Sequence, residues 1–216
     1  MSPVMDGNTG MDGNTGTDGN TGFDFTFHVR RLCADIADRL PEMGHIDVDR
    51  VALRFCQARS AGRHGIHATL TPLRFQDGAL VTERAGRRWT IERLYDESGR
   101  EMLYLLSFYL PRFLNHSFQE KLVTVFHELW HIAPGFNGDL RRHPGRCYAH
   151  GHDERDYDRL MDQLARRWLA LAPPPEIHEF LRYDFRQLQS RYRGVYGARL
   201  ANPKLIPLYH STDVKR

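Results

Sequence analysis

Two histidines and a glutamate stand close together in the run His127-Glu128-Leu129-Trp130-His131. Histidines four residues apart share one face of a helix, about one turn from each other, so both imidazoles can reach a single metal ion. The glutamate beside the first histidine points ~100° further round the helix and can reach a water next to the metal without ligating it. Zinc takes imidazole nitrogens at tetrahedral corners and lowers the pKa of a bound water. A carboxylate held beside that water can accept its proton as the oxygen attacks a carbonyl. The spacing predicts metal-assisted hydrolysis with His127 and His131 as ligands, Glu128 as general base and one Zn2+ per chain.

That chemistry needs a helix with a defined start, and the residues supply one. Ser117-Phe118-Gln119-Glu120 forms a capping box, placing the helix between about Asn115 and Ala133. Leu122, Val123, Val125, Phe126, Leu129, Trp130 and Ile132 fall on one broad apolar side, while His127 and His131 lie off it beside Thr124. Pro134-Gly135 stops the helix and turns the chain back. A catalytic zinc takes a third protein ligand and keeps one position for water. Asp139, His143, His150 and His152 follow at usable distances. Asp139 would demand a tight return, whereas His150 and His152 sit just ahead of the next helix. The metzincin continuation is disfavoured, because Asn137 occupies its ligand position and Pro134 replaces its glycine. Arg142, His143, Tyr148 and Tyr157 are candidates to stabilise a developing oxyanion, and Asp156 to orient a ligand imidazole. Cys147 reads as a small buried side chain.

The run from His127 through Ile132, Pro134, Phe136 and Gly138-Asp139 to Arg141-Arg142 resembles a family of phage metallopeptidases. Members of that family continue with a histidine shortly before an Asp-aromatic pair that opens the next helix. His152-Asp153-Glu154-Arg155-Asp156-Tyr157 is similar to that continuation. The resemblance spans roughly His45 to Leu171 and implies a zincin-like fold, peptidase activity and His152 as third ligand, with His150 and then His143 as alternates.

The remaining elements must carry this helix. The chain has 216 residues, enough for one well-buried domain. Residues 5–22 repeat a six-residue unit of the MDGNTG type without an apolar face, so 1–22 reads as a tail and 23–216 as a single domain. Helical spacing covers Phe25 to Leu40, where Pro41 ends it, and Asp156 to Leu171; a further helix is expected from about Glu176 to Tyr192. Val51 to Cys56, Ile66 to Phe75, Arg88 to Leu94 and Met102 to Leu110 read as strands. The last is a candidate sheet edge beside the metal helix, where an extended peptide could add, or else a buried central strand. Strands followed by helices predict an α+β fold, with a small mixed or antiparallel sheet packed on the metal helix.

Three widely spaced cysteines suggest neither disulfides nor a cysteine zinc knuckle, and no apolar run reaches membrane length. With no basic leader, a cytoplasmic setting is expected. The net charge is +3, and the arginine pairs, Arg87-Arg88 among them, read as solvated faces rather than a nucleic-acid surface. A peptide or protein is the expected substrate. A zinc hydrolase of other substrates and a zinc-stabilised binding module without turnover are the alternatives.

Overall fold

The computed structural model describes residues 22–60, 62, 64–142 and 154–209. A two-residue strand, β1 (Phe23–Asp24), leads into α1 (Phe25–Arg39), whose N-cap Asp24 accepts the Phe27 N–H at 3.0 Å. Five strands follow before the next helix: β2 (Val51–Gln57), β3 (Ala68–Pro72), β4 (Val81–Arg84), β5 (Arg87–Ile91) and β6 (Tyr104–Leu110). Then come α2 (Phe118–Trp130), α3 (Glu154–Ala170), the short α4 (Pro175–His178) and α5 (Phe185–Arg191). Two short strands close the order, β7 (Val195–Tyr196) and β8 (Leu205–Leu208). The fold is α+β, as expected. No helix among the described residues is long and apolar enough to cross a membrane.

The central sheet has the order β2-β6-β3, with β2 parallel and β3 antiparallel to β6. The apolar run ending at Leu110 is therefore the middle strand and not an edge. Its alternation shows why. Tyr104, Leu106, Phe108 and Leu110 join the main core under the helices, while Leu105 meets Ala52, Leu73 and Met102 on the other face. A strand apolar on both faces must be covered on both, and only a central position does that.

The second sheet, β4-β5-β8, is antiparallel. β4 was not anticipated, because Val81-Thr82-Glu83-Arg84 carries no apolar alternation. The predicted helix from Glu176 to Tyr192 is likewise broken into α4, a 3-10 turn (Glu179–Arg182) and α5. Asp184 stops continuity: its carboxylate accepts the Gln187 N–H at 2.8 Å while Gln187 bonds back to its N–H at 2.7 Å, restarting the helix as a capping box. The inward residues of that segment, Ile177, Phe180, Leu181 and Leu188, are buried as expected.

Lys121 makes an unusual core member on α2. Only 1% exposed, it donates to the Leu114 and Tyr183 carbonyls at 2.7 and 2.8 Å, tying the chain ahead of α2 to the C-terminal segment. Burial pulls its pKa down to about 8, opposed by the charge of Asp184. Between about pH 8 and the ordinary lysine value near 10.5 the unfolded chain binds more protons than the folded one, so this residue makes stability rise with pH there. The buried Cys33 thiol, pushed up to about 12 by desolvation, acts in the opposite sense above the ordinary thiol value. Denaturation of wild type and Lys121→Met at pH 7.5 and 10 separates the two. The wild type is expected to gain on the order of 2–3 kcal/mol relative to the variant over that interval, and parallel pH profiles would refute it.

Candidate functional site

α2 begins where the capping box puts it. Ser117 Oγ accepts the Glu120 N–H at 3.2 Å and Glu120 returns a carboxylate oxygen to the Ser117 N–H at 2.8 Å, which holds the Glu120 acid down at about 2. The buried side of the helix includes Leu122, Val125, Phe126 and Leu129. His127 and Glu128 lie in its last turn and His131 forms its C-cap. The imidazoles of His127 and His131 are neighbours, their ring centroids 4.7 Å apart.

The loop after the helix is fixed from several directions. Ile132 bridges to Leu140, and the Arg141 N–H donates to the His131 carbonyl at 2.7 Å. Arg141 also lies over the Trp130 ring and donates from Nε to the Trp130 carbonyl, covering the helix end with a cation. From β6, the fully buried Tyr104 hydroxyl donates to the Asp139 carbonyl at 2.9 Å and accepts the Gly138 N–H at 3.0 Å. Burial pushes that phenol up to about 12, so it stays a donor. Gly138 adopts φ 87°, and an added Cβ would lie 2.5 Å from Arg74 Cγ. Gly138→Ala should cost roughly 1–3 kcal/mol in denaturant melts, and an unchanged midpoint would show that the loop yields freely.

Asp139 proves to be a loop fastener. Its carboxylate accepts the Asp77 and Leu140 N–H groups at 2.9 and 2.8 Å and takes both Nε and Nη2 of Arg142. Burial alone would raise its pKa, but Arg142 and these N–H groups together hold it below the usual carboxylate range. As a metal ligand it would have to abandon all of them. Arg142, expected as an oxyanion contact, is engaged by this same carboxylate.

Beside the helix lies a cleft of about 600 Å3, lined among others by His67, Leu70, Thr124, His127, Glu128 and His131. Its far wall is β3, the edge of the central sheet. The His67 carbonyl accepts the Tyr109 N–H of β6 and the Leu73 N–H donates to the Leu103 carbonyl just before it, which sets the alternation: Ala68 and Leu70 turn their main-chain groups outward to the cleft. The Leu70 N–H is directed at the Glu128 carboxylate. Glu128 is 8% exposed, and desolvation pushes its pKa up to about 7, with the Leu70 N–H pulling the other way. A carboxylate poised near neutrality can take a proton and later return it.

No family model, curated protein or solved structure matches the chain.

Tyr157, on the first turns of α3, packs its ring edge-on to His127 at 4.8 Å and stacked on His131 at 6.0 Å. Its hydroxyl is buried without a hydrogen-bond partner among the described residues. Burial first, and then the Glu128 charge, raise its pKa, keeping the proton on the oxygen. The site thus gathers two imidazoles on one helix face, a desolvated carboxylate and an unsatisfied phenol.

Among the described residues no group of three histidine, cysteine or carboxylate side chains is set to hold a metal ion. His143, His150 and His152 lie outside the described residues, as do Tyr148, Cys147 and residues 1–21 of the tail; Asp156 falls within α3, but its side chain is outside them too. The Leu70 main chain, Tyr104 and His67 were not anticipated. Tyr104 alone left a trace in the sequence, since a tyrosine inside an apolar strand must find a partner for its hydroxyl. His67 and His116 meet through their Nε2 atoms at 3.0 Å, a pairing of residues 49 apart that no local pattern announces.

Proposed function

We propose that the protein is a zinc-dependent metallopeptidase of zincin-like fold, akin to the phage metallopeptidases that its motif resembles. The observation that carries the reading is the meeting of His127, His131 and the buried Glu128 in one cleft walled by a sheet edge. The donor set fits zinc: two imidazoles at i and i+4, with the phenol of Tyr157 lying against both rings and lacking a partner among the described residues. His127 and His131 would hold the ion with His152 as third ligand, His150 and His143 being the alternates. Zinc, when bound, supplies Lewis acidity that polarises a carbonyl and acidifies water.

The chain's own groups supply the rest. The Leu70 N–H is taken by Glu128, but the Ala68 N–H and the Ala68 and Leu70 carbonyls face the cleft, so an extended peptide can add beside them as a further strand. Such alignment holds a scissile amide in one register over Glu128, reducing the entropic cost of attack. Glu128 accepts the proton of the attacking water and delivers it to the departing amine, two transfers that suit a group near pH 7. The Tyr157 hydroxyl donates towards the negative charge developing on the carbonyl oxygen. The open cleft favours turnover over a closed structural zinc site, in which four protein ligands would leave no room for substrate.

Metal content per chain tests the reading. Elemental analysis after dialysis against a weak chelator should find one zinc per wild-type chain, lost in His127→Ala and His152→Ala and retained in His143→Ala and His150→Ala. Loss in both His150→Ala and His152→Ala would indicate a closed site without turnover. Wild-type protein that stays metal-free after zinc is restored would overturn the proposal.

A further inference from the structure

The second sheet carries a groove that the hydrolytic reading leaves unused. β4 and β5 are joined by Ala85-Gly86, with φ of 51° and 70°, the tight turn in which both central residues are left-handed. This turn sets the register: Arg84 stands opposite Arg87, Thr82 opposite Trp89, and Trp89 opposite Pro207 of β8. Because side chains alternate across a sheet, Arg84, Arg87, Trp89, Thr82 and Leu205 share one face. They line a groove of about 560 Å3 that shares no residue with the cleft at Glu128.

Like charges directly opposite in a hairpin repel. Water screens the pair, but no carboxylate among the described residues neutralises it: both arginines are exposed, and neither has an ion pair or side-chain hydrogen bond there. Four other exposed or half-exposed arginines are tied to carboxylates, Arg39 to Asp35, Arg100 to Asp49, Arg166 to Asp162 and Arg167 to Glu42. Two unneutralised guanidinium groups side by side match a phosphate, which each can grip through paired N–H donors. Trp89 lies two residues along the strand from Arg87, about 7 Å. Its half-buried indole offers a flat apolar surface on the same face, at roughly the reach from a phosphate to its own base. A purely acidic run of peptide would satisfy the charges but leave the indole unused. A duplex would satisfy them too, yet its base faces are stacked away from contact; a single strand offers both.

We infer that this face of the second sheet binds single-stranded nucleic acid, a phosphate seated between Arg84 and Arg87 and a base stacked on Trp89. The sequence hides the pair, because Arg84 and Arg87 are brought together only by the turn, while the adjacent Arg88 points to the opposite face.

Fluorescence anisotropy with a labelled single strand of roughly 15 nucleotides tests this on the full chain. The wild type should bind at about 50 mM salt and weaken roughly fivefold towards 200 mM. The exposed double variant Arg84→Gln with Arg87→Gln should bind at least tenfold more weakly and reduce the slope of log K against log salt by about 1. Tryptophan fluorescence should be quenched on binding in wild type and not in Trp89→Phe. Glu128→Gln should bind like wild type, so the outcome does not depend on the hydrolytic reading. Absence of wild-type binding at low salt, an unaltered affinity in the double variant, or polyglutamate binding as tightly as the oligonucleotide would each overturn the inference.

Discussion

Glu128→Gln is expected to lower peptide hydrolysis by about 10²–10⁴-fold while leaving zinc at one per chain. Glutamine keeps the length of the side chain and an oxygen to accept the Leu70 N–H, but it cannot take a proton from water. The fold should tolerate the exchange well. In wild type a carboxylate at 8% exposure is desolvated enough to reach about pH 7, so a neutral amide removes a destabilising charge. The variant should therefore melt no lower than wild type, as expected where a functional group is held at a cost in stability. Three measurements are needed together: turnover of a peptide library, zinc by elemental analysis, and the melting temperature. Hydrolysis surviving at a tenth of the wild-type rate or more would remove Glu128 from the base role. Loss of zinc together with activity would mean that the residue holds the metal site rather than acting beside it.

Trp168→Ala should destabilise the fold by about 3–5 kcal/mol, the range for deleting a buried tryptophan. Trp168 is fully buried, packs edge-on to Phe126 of α2 and to His178, and donates its indole N–H to Asp35 of α1 at 2.9 Å. It anchors α3 to both helices at once. The Asp35 carboxylate keeps Arg39 as partner, so the loss is one of packing rather than of an orphaned charge. For a chain of this size the melting temperature should fall by about 6–20 °C. Because α3 also carries Tyr157 against His127 and His131, zinc affinity should weaken in the same variant at temperatures where it remains folded. A fall of less than about 1 kcal/mol would show that α3 is held by other contacts.

What could be read in the sequence was what neighbours along the chain decide. The start of α2 follows from Ser117 and Glu120, its buried side from Leu122, Val125, Phe126 and Leu129, and the shared face of His127 and His131 from their spacing. Pairing between distant segments was out of reach. That β3 and not β6 forms the edge beside Glu128 depends on β2 crossing over to lie parallel to β6, with Val51 opposite Tyr104. The hold of Tyr104 on residues 138 and 139 spans 34 and 35 positions. The interrupted C-terminal helix is a different case. Asp184 and Gln187 spell out a capping box, but the apolar spacing of Phe180, Leu181 and Leu188 continues across it and masks the restart. Of the candidate ligands after His131, the geometry takes Asp139 out of contention by occupying its carboxylate with Arg142 and two main-chain N–H groups.

The placement of β8 has a consequence for how the chain is made. β5 receives its second neighbour from Leu205–Leu208, more than a hundred residues further on. Phe55 and Arg54 of β2 also wait for this end of the chain, bonding to Ala198, Leu200 and Asn202. At 5–20 residues per second a ribosome needs roughly 5–20 s to supply that length. Throughout that interval β5 (Arg87–Ile91) presents an unpaired edge, and Arg87 and Arg88 are the charges that disfavour pairing of one nascent chain with the next.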